Sequence, residues 1–540
     1  MCAPTSVDPS KTSSASATRV PSSPRNSNAL VVKTVTGALR FFFGFLDFAL
    51  SVPSLFSGKT TESHAPGNDV KTVVIVGGNF AGLAALRELQ KWQKKQKGKG
   101  HIRIVLIDKR EYSEYTPGIL RLFCEPDHFF HLAQEIPKAI DGCSLERIQG
   151  TVTSILKDGA AEDLASERKI LTYVPALDQL SSDNSTQTPA TKSLSYDYLI
   201  LATGATYAEP ISPATAVAGK PTTSMLGRYD EWKRAHYQLQ ASKSVLILGA
   251  GATGVELAAE ILDHDDDNIR RTEVTIVDAE SSLVPLFPEA VGAYAKKWLE
   301  ERGAKLRLGE SLKSWNDRSC TLRDGTVLQA DTVYVCFGSR PNSEMADLSQ
   351  QMKAKGGASG NYSDRLFSLT KRRNLVVKDT LQLCIDGDDK HDPNAPWFAC
   401  GDVASPPSND EKQALQAEMQ GELAAWNAIK LLESNSPKTR LLRYPFDLGA
   451  DRIPLVFVLS LGKYDGVLGF DNLTIPGAFA AIIKWLIEYT KVSQMRGDLL
   501  GNGFWKIGDT SVIFLARMFC KPVSSPRSLQ IVQKEKLKVS

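Results

Sequence analysis

Two stretches of this chain run from a β-branched strand through a glycine turn into an alanine-rich helix, and that doubling constrains the fold more than any other feature. The second copy, residues 244–260, sets VLIL ahead of Gly249, Gly251 and Gly254 in GxGxxG spacing. In such a unit the first glycine makes the tight turn and the second lets backbone approach a pyrophosphate. The third lets the helix pack on the strand. The phosphates then sit at the helix N-terminus, where unpaired N–H groups and the dipole favour negative charge. The next strand, VTIVD, ends in Asp278, close to the offset of about 20 residues expected of a ribose-binding acid. The first copy, KTVVIVGGNFAGLAALREL, keeps Gly77 and Gly82 as outer glycines and adds Gly78, but Asn79 holds the middle position. Asn tolerates positive φ better than other non-glycine residues, so this turn is expected to survive. IRIVLID follows and ends in Asp108.

A chain of 540 residues is too long for one core, so two or three domains are expected. The formal net charge is +3, and basic residues are not gathered into an aromatic-interleaved patch, which argues against a nucleic-acid partner. Eight cysteines are scattered with no CxxC or close pair, so neither a cysteine zinc site nor a redox-active disulfide is signalled. They read as buried small hydrophobes in a reducing compartment, which counts against a disulfide reductase.

Residues 1–30 are Ser/Thr/Ala/Pro-rich and basic, fitting either a disordered tail or an organellar transit peptide. Residues 38–56 are very apolar, but Arg40 and Asp47 interrupt them and Pro53 caps the run. They suit a helix in the membrane interface better than a span; packing on the protein's own surface stays open. Residues 111–123 read as a loop leading to a helix, 157–195 as a polar insertion in a hairpin, 208–242 as a link, and 343–373 as a surface excursion. A strand ends in Gly401-Asp402, followed by a helix over about 411–432. An apolar helix is expected over 475–489.

The order glycine unit, ATG turn (residues 202–204), glycine unit and late strand-GD resembles the two-dinucleotide flavoproteins of the pyridine nucleotide oxidoreductase superfamily. That resemblance covers roughly residues 71–430. It implies an α/β fold with two Rossmann-like domains, the FAD domain discontinuous and the NAD(P)H domain inserted, plus a small C-terminal α+β region. The expected divisions are a leader with an apolar segment (1–69), FAD domain (70–207 and 374–432), NAD(P)H domain (208–373) and C-terminal domain (433–540). A resident FAD would be reduced by NADH or NADPH arriving as co-substrate.

Carried over, Gly77, Gly78, Asn79 and Gly82 would cradle the FAD pyrophosphate and Asp108 would accept from the adenosine ribose. Thr203 and Gly204 would cross beside the cofactor, and Asp402 would hold its ribityl or pyrophosphate end. Val403 would start the helix beneath the flavin. Gly249, Gly251 and Gly254 would hold the nicotinamide dinucleotide, with Asp278 favouring NADH by repelling a 2′-phosphate. Glu256 would lie near the meeting of nicotinamide and flavin; alternatively it is a helix-start carboxylate favoured by the dipole.

The closer resemblance is to the ferroptosis suppressor protein branch, sister to the type II NADH dehydrogenases. GDVASPPSNDEKQALQAEMQG has Lys about ten residues after GD, at Lys412, and LGKYDGVLGF resembles that branch's strand-turn-strand. The Gln pair of type II dehydrogenases is half kept, with Gln420 present and Leu415 at the earlier position. The branch implies that Lys412 supplies a proton or stabilises charge at the flavin and that a quinone is the acceptor. It also implies peripheral attachment to a membrane, on the cytoplasmic side or in a mitochondrion or plastid. Over 475–490, Phe479, Trp485 and Tyr489 share a side, and Lys484, Lys491 and Arg496 stand ready for headgroups; an ordinary packed amphipathic helix stays open. Monomer and homodimer are both open. Two rival readings remain: a redox-sensing protein holding FAD and NADH and signalling through partners, and a reductase of a protein electron carrier.

Overall fold

The computed structural model describes residues 24–51 and 70–514, apart from 97–101, 137–144, 158–168, 177–189, 347–366, 386–391 and several shorter stretches. The leader over residues 1–23, most of the 343–373 excursion, and Cys2, Cys143 and Cys520 lie outside the described residues.

Strand Lys71–Val76 is buried from Thr72 to Val76, and a β-branched run with both faces covered belongs at the centre of a parallel sheet. It pairs in parallel with Ile102–Asp108 on one side and Tyr198–Leu201 on the other. Leu145–Lys157 extends one edge, and Trp397–Ala399 joins the other in parallel register, Trp397 beside Leu199. The late strand thus completes the first unit's sheet although the whole second unit intervenes. Strands Lys169–Pro175 and Lys192–Tyr196 add an antiparallel edge, correcting the reading of 157–195 as insertion alone. Leu171, Tyr173, Leu194 and Tyr196 turn inward at alternate positions, a period of two too short to stand out from polar surroundings.

The second sheet is four parallel strands in the order Lys305–Leu308, Glu273–Asp278, Ser244–Leu248 and Thr332–Val335. The 208–242 stretch is more than a link: it carries helix Met225–Ala241, whose Ser224 cap accepts from the Gly227 N–H. Within it Arg228 is fully buried, with its Nε 3.2 Å from Glu114 Oε1 and one terminal nitrogen 2.6 Å from Glu231 Oε2. Its guanidinium stacks over Trp232 at 4.4 Å. Every donor-rich edge meets a carboxylate or carbonyl, the condition under which a buried charge is tolerated.

The C-terminal part is an antiparallel sheet, Val456–Leu461, Asp465–Phe470 and Leu473–Pro476, followed by helix Ala478–Arg496. The helix starts later than expected because Ile475 and Pro476 finish the strand and Gly477 turns the corner at φ 102. It runs past Tyr489 to a left-handed cap at Gly497. Leu459 and Leu461 share a core with Val255 and Ala258 of the second glycine helix, Ala252–Asn268. Helix Pro24–Ser51 lies on the C-terminal helix, burying Val32 and Phe43. Phe43 stacks on Tyr489 at 5.3 Å and Arg40 sits over Trp485. Its other face leaves Leu30, Val31, Phe41 and Phe42 exposed. Among the described residues no helix is long and apolar enough to cross a membrane.

Candidate dinucleotide sites

At the first turn Gly77 takes φ +109, and a Cβ there would run into the Ala202 carbonyl oxygen. The ATG turn therefore presses directly on the glycine turn. A Cβ at Gly82 would overlap the Gly77 carbonyl oxygen, so this glycine sets the close approach of helix Phe80–Lys95 to its strand. Asn79 does not use the left-handed region: it is an extended N-cap at φ −122, and Gly77 takes the positive φ instead. The Asn79 side chain makes no cap bond, and its Oδ1 is buried without a partner.

Asp108 accepts from the Gly78 N–H at 2.6 Å and the Arg110 N–H at 2.8 Å. Asp278 repeats this at the second turn, accepting from the Ala250 N–H at 2.5 Å and the Glu280 N–H at 2.7 Å. Each strand-end acid thus braces the residue after its turn's first glycine. Each carboxylate oxygen keeps a further lone pair for a ribose hydroxyl. Gly249 takes φ +112 against the Cys336 carbonyl, and a Cβ at Gly254 would overlap the Gly249 oxygen. Gly251 differs: a Cβ there would meet nothing within 4 Å, so packing does not explain it.

Gly401, at φ +76, brings together the starts of two helices, since its Cβ would lie 3.3 Å from Ala81 and 3.5 Å from Ala417. Its N–H donates to Gln420 Oε1 at 2.9 Å. Asp402 accepts from the Tyr207 hydroxyl at 3.3 Å; burial raises its carboxyl above the usual range, while Lys412 pulls the other way. Val403 does not begin the helix. It ends a short 3-10 turn, extended backbone follows at Ala404–Ser405, and helix Ala414–Glu433 starts from a Gln413 cap. Lys412 is exposed and its Nζ donates to the Ala404 carbonyl. Cys400 precedes the GD pair, and burial pushes its thiol up to about 12, so it is no thiolate nucleophile.

Sequence reasoning missed Gln416. It lies four residues before Gln420, on one helix face, is buried, and leaves Oε1 without a partner. That four-residue spacing, counted back from Gln420, was the available signal. A buried unmatched acceptor costs about 1–3 kcal/mol. Asn79 and Gln416 thus leave two unmatched acceptors on the helices that Gly401 joins, where a bound FAD fits. The two crossovers between the sheets are clasped as well: Thr203 Oγ1 donates to the Asn342 carbonyl at 2.6 Å, and Asn342 Nδ2 donates back to the Thr203 carbonyl at 2.8 Å. Gly204 accepts from the Asn342 N–H at 3.0 Å.

Glu256, the fifth residue of its helix, points to the C-terminal sheet. It accepts from the Ser460 N–H at 2.8 Å and pairs with Lys484 at 3.1 Å. Both line a cavity of about 350 Å³ that Arg40, Pro117 and Trp485 also wall. Lys484 and Lys491 are not presented to headgroups as the sequence suggested. Lys484 turns to half-buried Glu256, and buried Lys491 pairs with Glu418, which Arg87 also holds at 3.0 Å, so both ammonium groups answer carboxylates taken from water. Arg496 stays exposed.

Two glycine cradles on two parallel sheets, clasped through Asn342, define a protein that holds two dinucleotides in one chain. The chain belongs to the pyridine nucleotide-disulphide oxidoreductase family, whose model matches residues 71–364, more than half its length. It is an oxidoreductase using FAD with a pyridine nucleotide. A type II NADH:quinone oxidoreductase of Staphylococcus aureus is 24% identical over 465 residues, covering 81% of this chain and 98% of that one. The fold matches NDH2 from Plasmodium falciparum, solved with NADH, at TM-score 0.58 and 12% identity, covering 83% and 98% of the two chains. It also matches sulfide:quinone oxidoreductase from Aquifex aeolicus at TM-score 0.56 and 16% identity, covering 81% and 94%.

Proposed function

We propose that the protein is an NADH:quinone oxidoreductase of the ferroptosis suppressor protein branch, working from a membrane surface without pumping protons. The observation that carries this reading is the cavity holding the Glu256–Lys484 pair beneath the N-terminal helix. That helix and its surroundings turn Phe41, Phe42, Leu473 and Phe479 outward, an apolar face suited to lipid. The names of the relatives support a quinone as acceptor.

The residues named next would hold FAD, which would supply the capacity to accept hydride from NADH and release electrons. Gly77, Gly78, Asn79, Gly82 and Asp108 would hold its adenosine and pyrophosphate end, and Thr203, Gly204, Asp402, Val403 and Gln416 would hold the remainder. Lys412 places a positive charge beside Asp402. Gly249, Gly251 and Gly254 would hold NADH, and Asp278 disfavours a 2′-phosphate. A quinone accepting two electrons also takes two protons, and Lys484 Nζ, paired with Glu256 at 3.1 Å, stands at the cavity wall as the side chain that would donate one. The N-terminal helix, which lines the cavity between Val32 and Arg40, would roof it and meet the membrane with its exposed Phe41 and Phe42.

The test is stopped-flow absorbance on the purified yellow protein. Fast bleaching by NADH and fast recovery with a short-chain quinone are expected, with Lys484→Ala slowing only the recovery. A stable long-wavelength band without turnover would replace this reading with redox sensing.

A further inference from the structure

Among the described residues, His128, His131 and Glu488 form a ligating cluster outside both dinucleotide cradles, their candidate ligand atoms all within 4.8 Å of one another. His128 closes the turn Pro126–His128 and His131 sits in the short helix Phe129–Leu132 that follows. Three residues of helical backbone put both rings on one face, and their centroids lie 4.9 Å apart. Glu488 comes from the C-terminal helix and is buried. Its Oε1 lies 2.9 Å from His128 Nε2 and 3.5 Å from His131 Nε2.

One imidazole satisfies a buried carboxylate oxygen; a second aimed at the same atom is redundant as a hydrogen-bond donor. Two such rings both protonated would repel at this separation. Two imidazole nitrogens and one carboxylate oxygen are, however, the donor set of a three-ligand zinc site. In a tetrahedral site with bonds of about 2.0–2.1 Å the ligand atoms stand about 3.3–3.4 Å apart, and the two observed nitrogen–oxygen separations bracket that spacing. Arg121, which pairs with Glu260 at 3.2 Å, also faces Glu488, and Arg496, which donates to the His131 carbonyl, faces the His131 ring, so the carboxylate is shared between these cations and the two imidazoles.

We propose that His128 Nε2, His131 Nε2 and a Glu488 carboxylate oxygen bind a divalent zinc-class ion. The fourth position faces the cavity that His128 and Glu488 line, so water or another small donor completes the shell. The ion ties residues 126–132 to the C-terminal helix, two segments that meet only in the folded chain. Occupancy therefore fixes the angle of that helix to the rest of the molecule.

The full-length flavin-loaded protein, stripped with a chelator, is titrated with zinc by calorimetry and with Co²⁺ by absorbance, beside His131→Ala and Glu488→Gln. Wild type is expected to take up zinc stoichiometrically and to give the intense visible bands of tetrahedral Co²⁺. Each variant should weaken zinc binding by about 100-fold or more, since even outer-shell changes cost about 10–100-fold. Flavin absorbance reports folding of the variants; where a variant loses it, the wild-type Co²⁺ spectrum decides. Equal zinc affinity in wild type and a flavin-bearing Glu488→Gln, or weak octahedral Co²⁺ bands in wild type, overturns the site.

Discussion

Gly251→Ala separates ligand space from packing space at the second glycine turn. The new methyl meets no protein atom within 4 Å, and Gly251 is not at positive φ, so stability should change by no more than about 0.5 kcal/mol. What the methyl does meet is whatever the turn holds. Forcing one methyl against a bound pyrophosphate costs about 1–3 kcal/mol, by analogy with overpacking, or about 5- to 150-fold in affinity. Gly254→Ala is the contrasting variant: its Cβ falls on the Gly249 oxygen, so the helix must move and the melting temperature drops. The assay is anaerobic flavin bleaching against NADH concentration, with flavin content and thermal melting measured on the same preparations. Gly251→Ala should keep its flavin and its melting temperature while KM for NADH rises. If it instead purifies without flavin, the resident cofactor occupies the second turn and the assignment of the two cradles is reversed. An unchanged KM would show that NADH does not use this turn.

Lys412→Ala should slow quinone reduction and leave FAD content intact; wild-type turnover would remove Lys412 from the mechanism. Arg228→Ala strands Glu114 and Glu231 in the interior and should cost about 3–5 kcal/mol, read as a fall in the denaturant midpoint at unchanged slope; a loss within error would mean that water reaches those carboxylates. Burial, reinforced by Glu88 and Glu418, pushes the Glu422 carboxyl up to about 7 from an ordinary 4.5. Because the folded value is the higher, its contribution to stability is complete below pH 4.5 and fades as pH rises towards 7; Glu422→Gln should flatten that decline in a melting series across pH.

The two cradles were legible because a glycine turn between a buried strand and a small-residue helix leaves few alternatives. Gly82 and Gly254 confirm the packing role read from spacing. Asn79 shows the limit of such reading. Its tolerance of positive φ was sound chemistry applied to the wrong residue, since Gly77 supplies the turn. Lys484 and Lys491 were read from one helix alone, and their carboxylate partners lie far away in sequence on other elements. Val403 failed for a related reason: the chain stays extended after the GD turn before its helix begins. His128, His131 and Glu488 meet only through the tertiary fold, so no local pattern announced them.

The reciprocal bonds between Thr203 and Asn342, with the pairing of Ala205–Thr206 against Arg340–Pro341, lay the outgoing and returning crossovers between the two sheets side by side. The outgoing crossover is pinned as well, since Pro210 and Ile211 accept from buried Arg228 and the Ala214 N–H donates to Glu231, so length added there would strand part of a buried charge network. A change in this stretch therefore acts first on the stability of the whole chain, and only through that on where the two cradles stand.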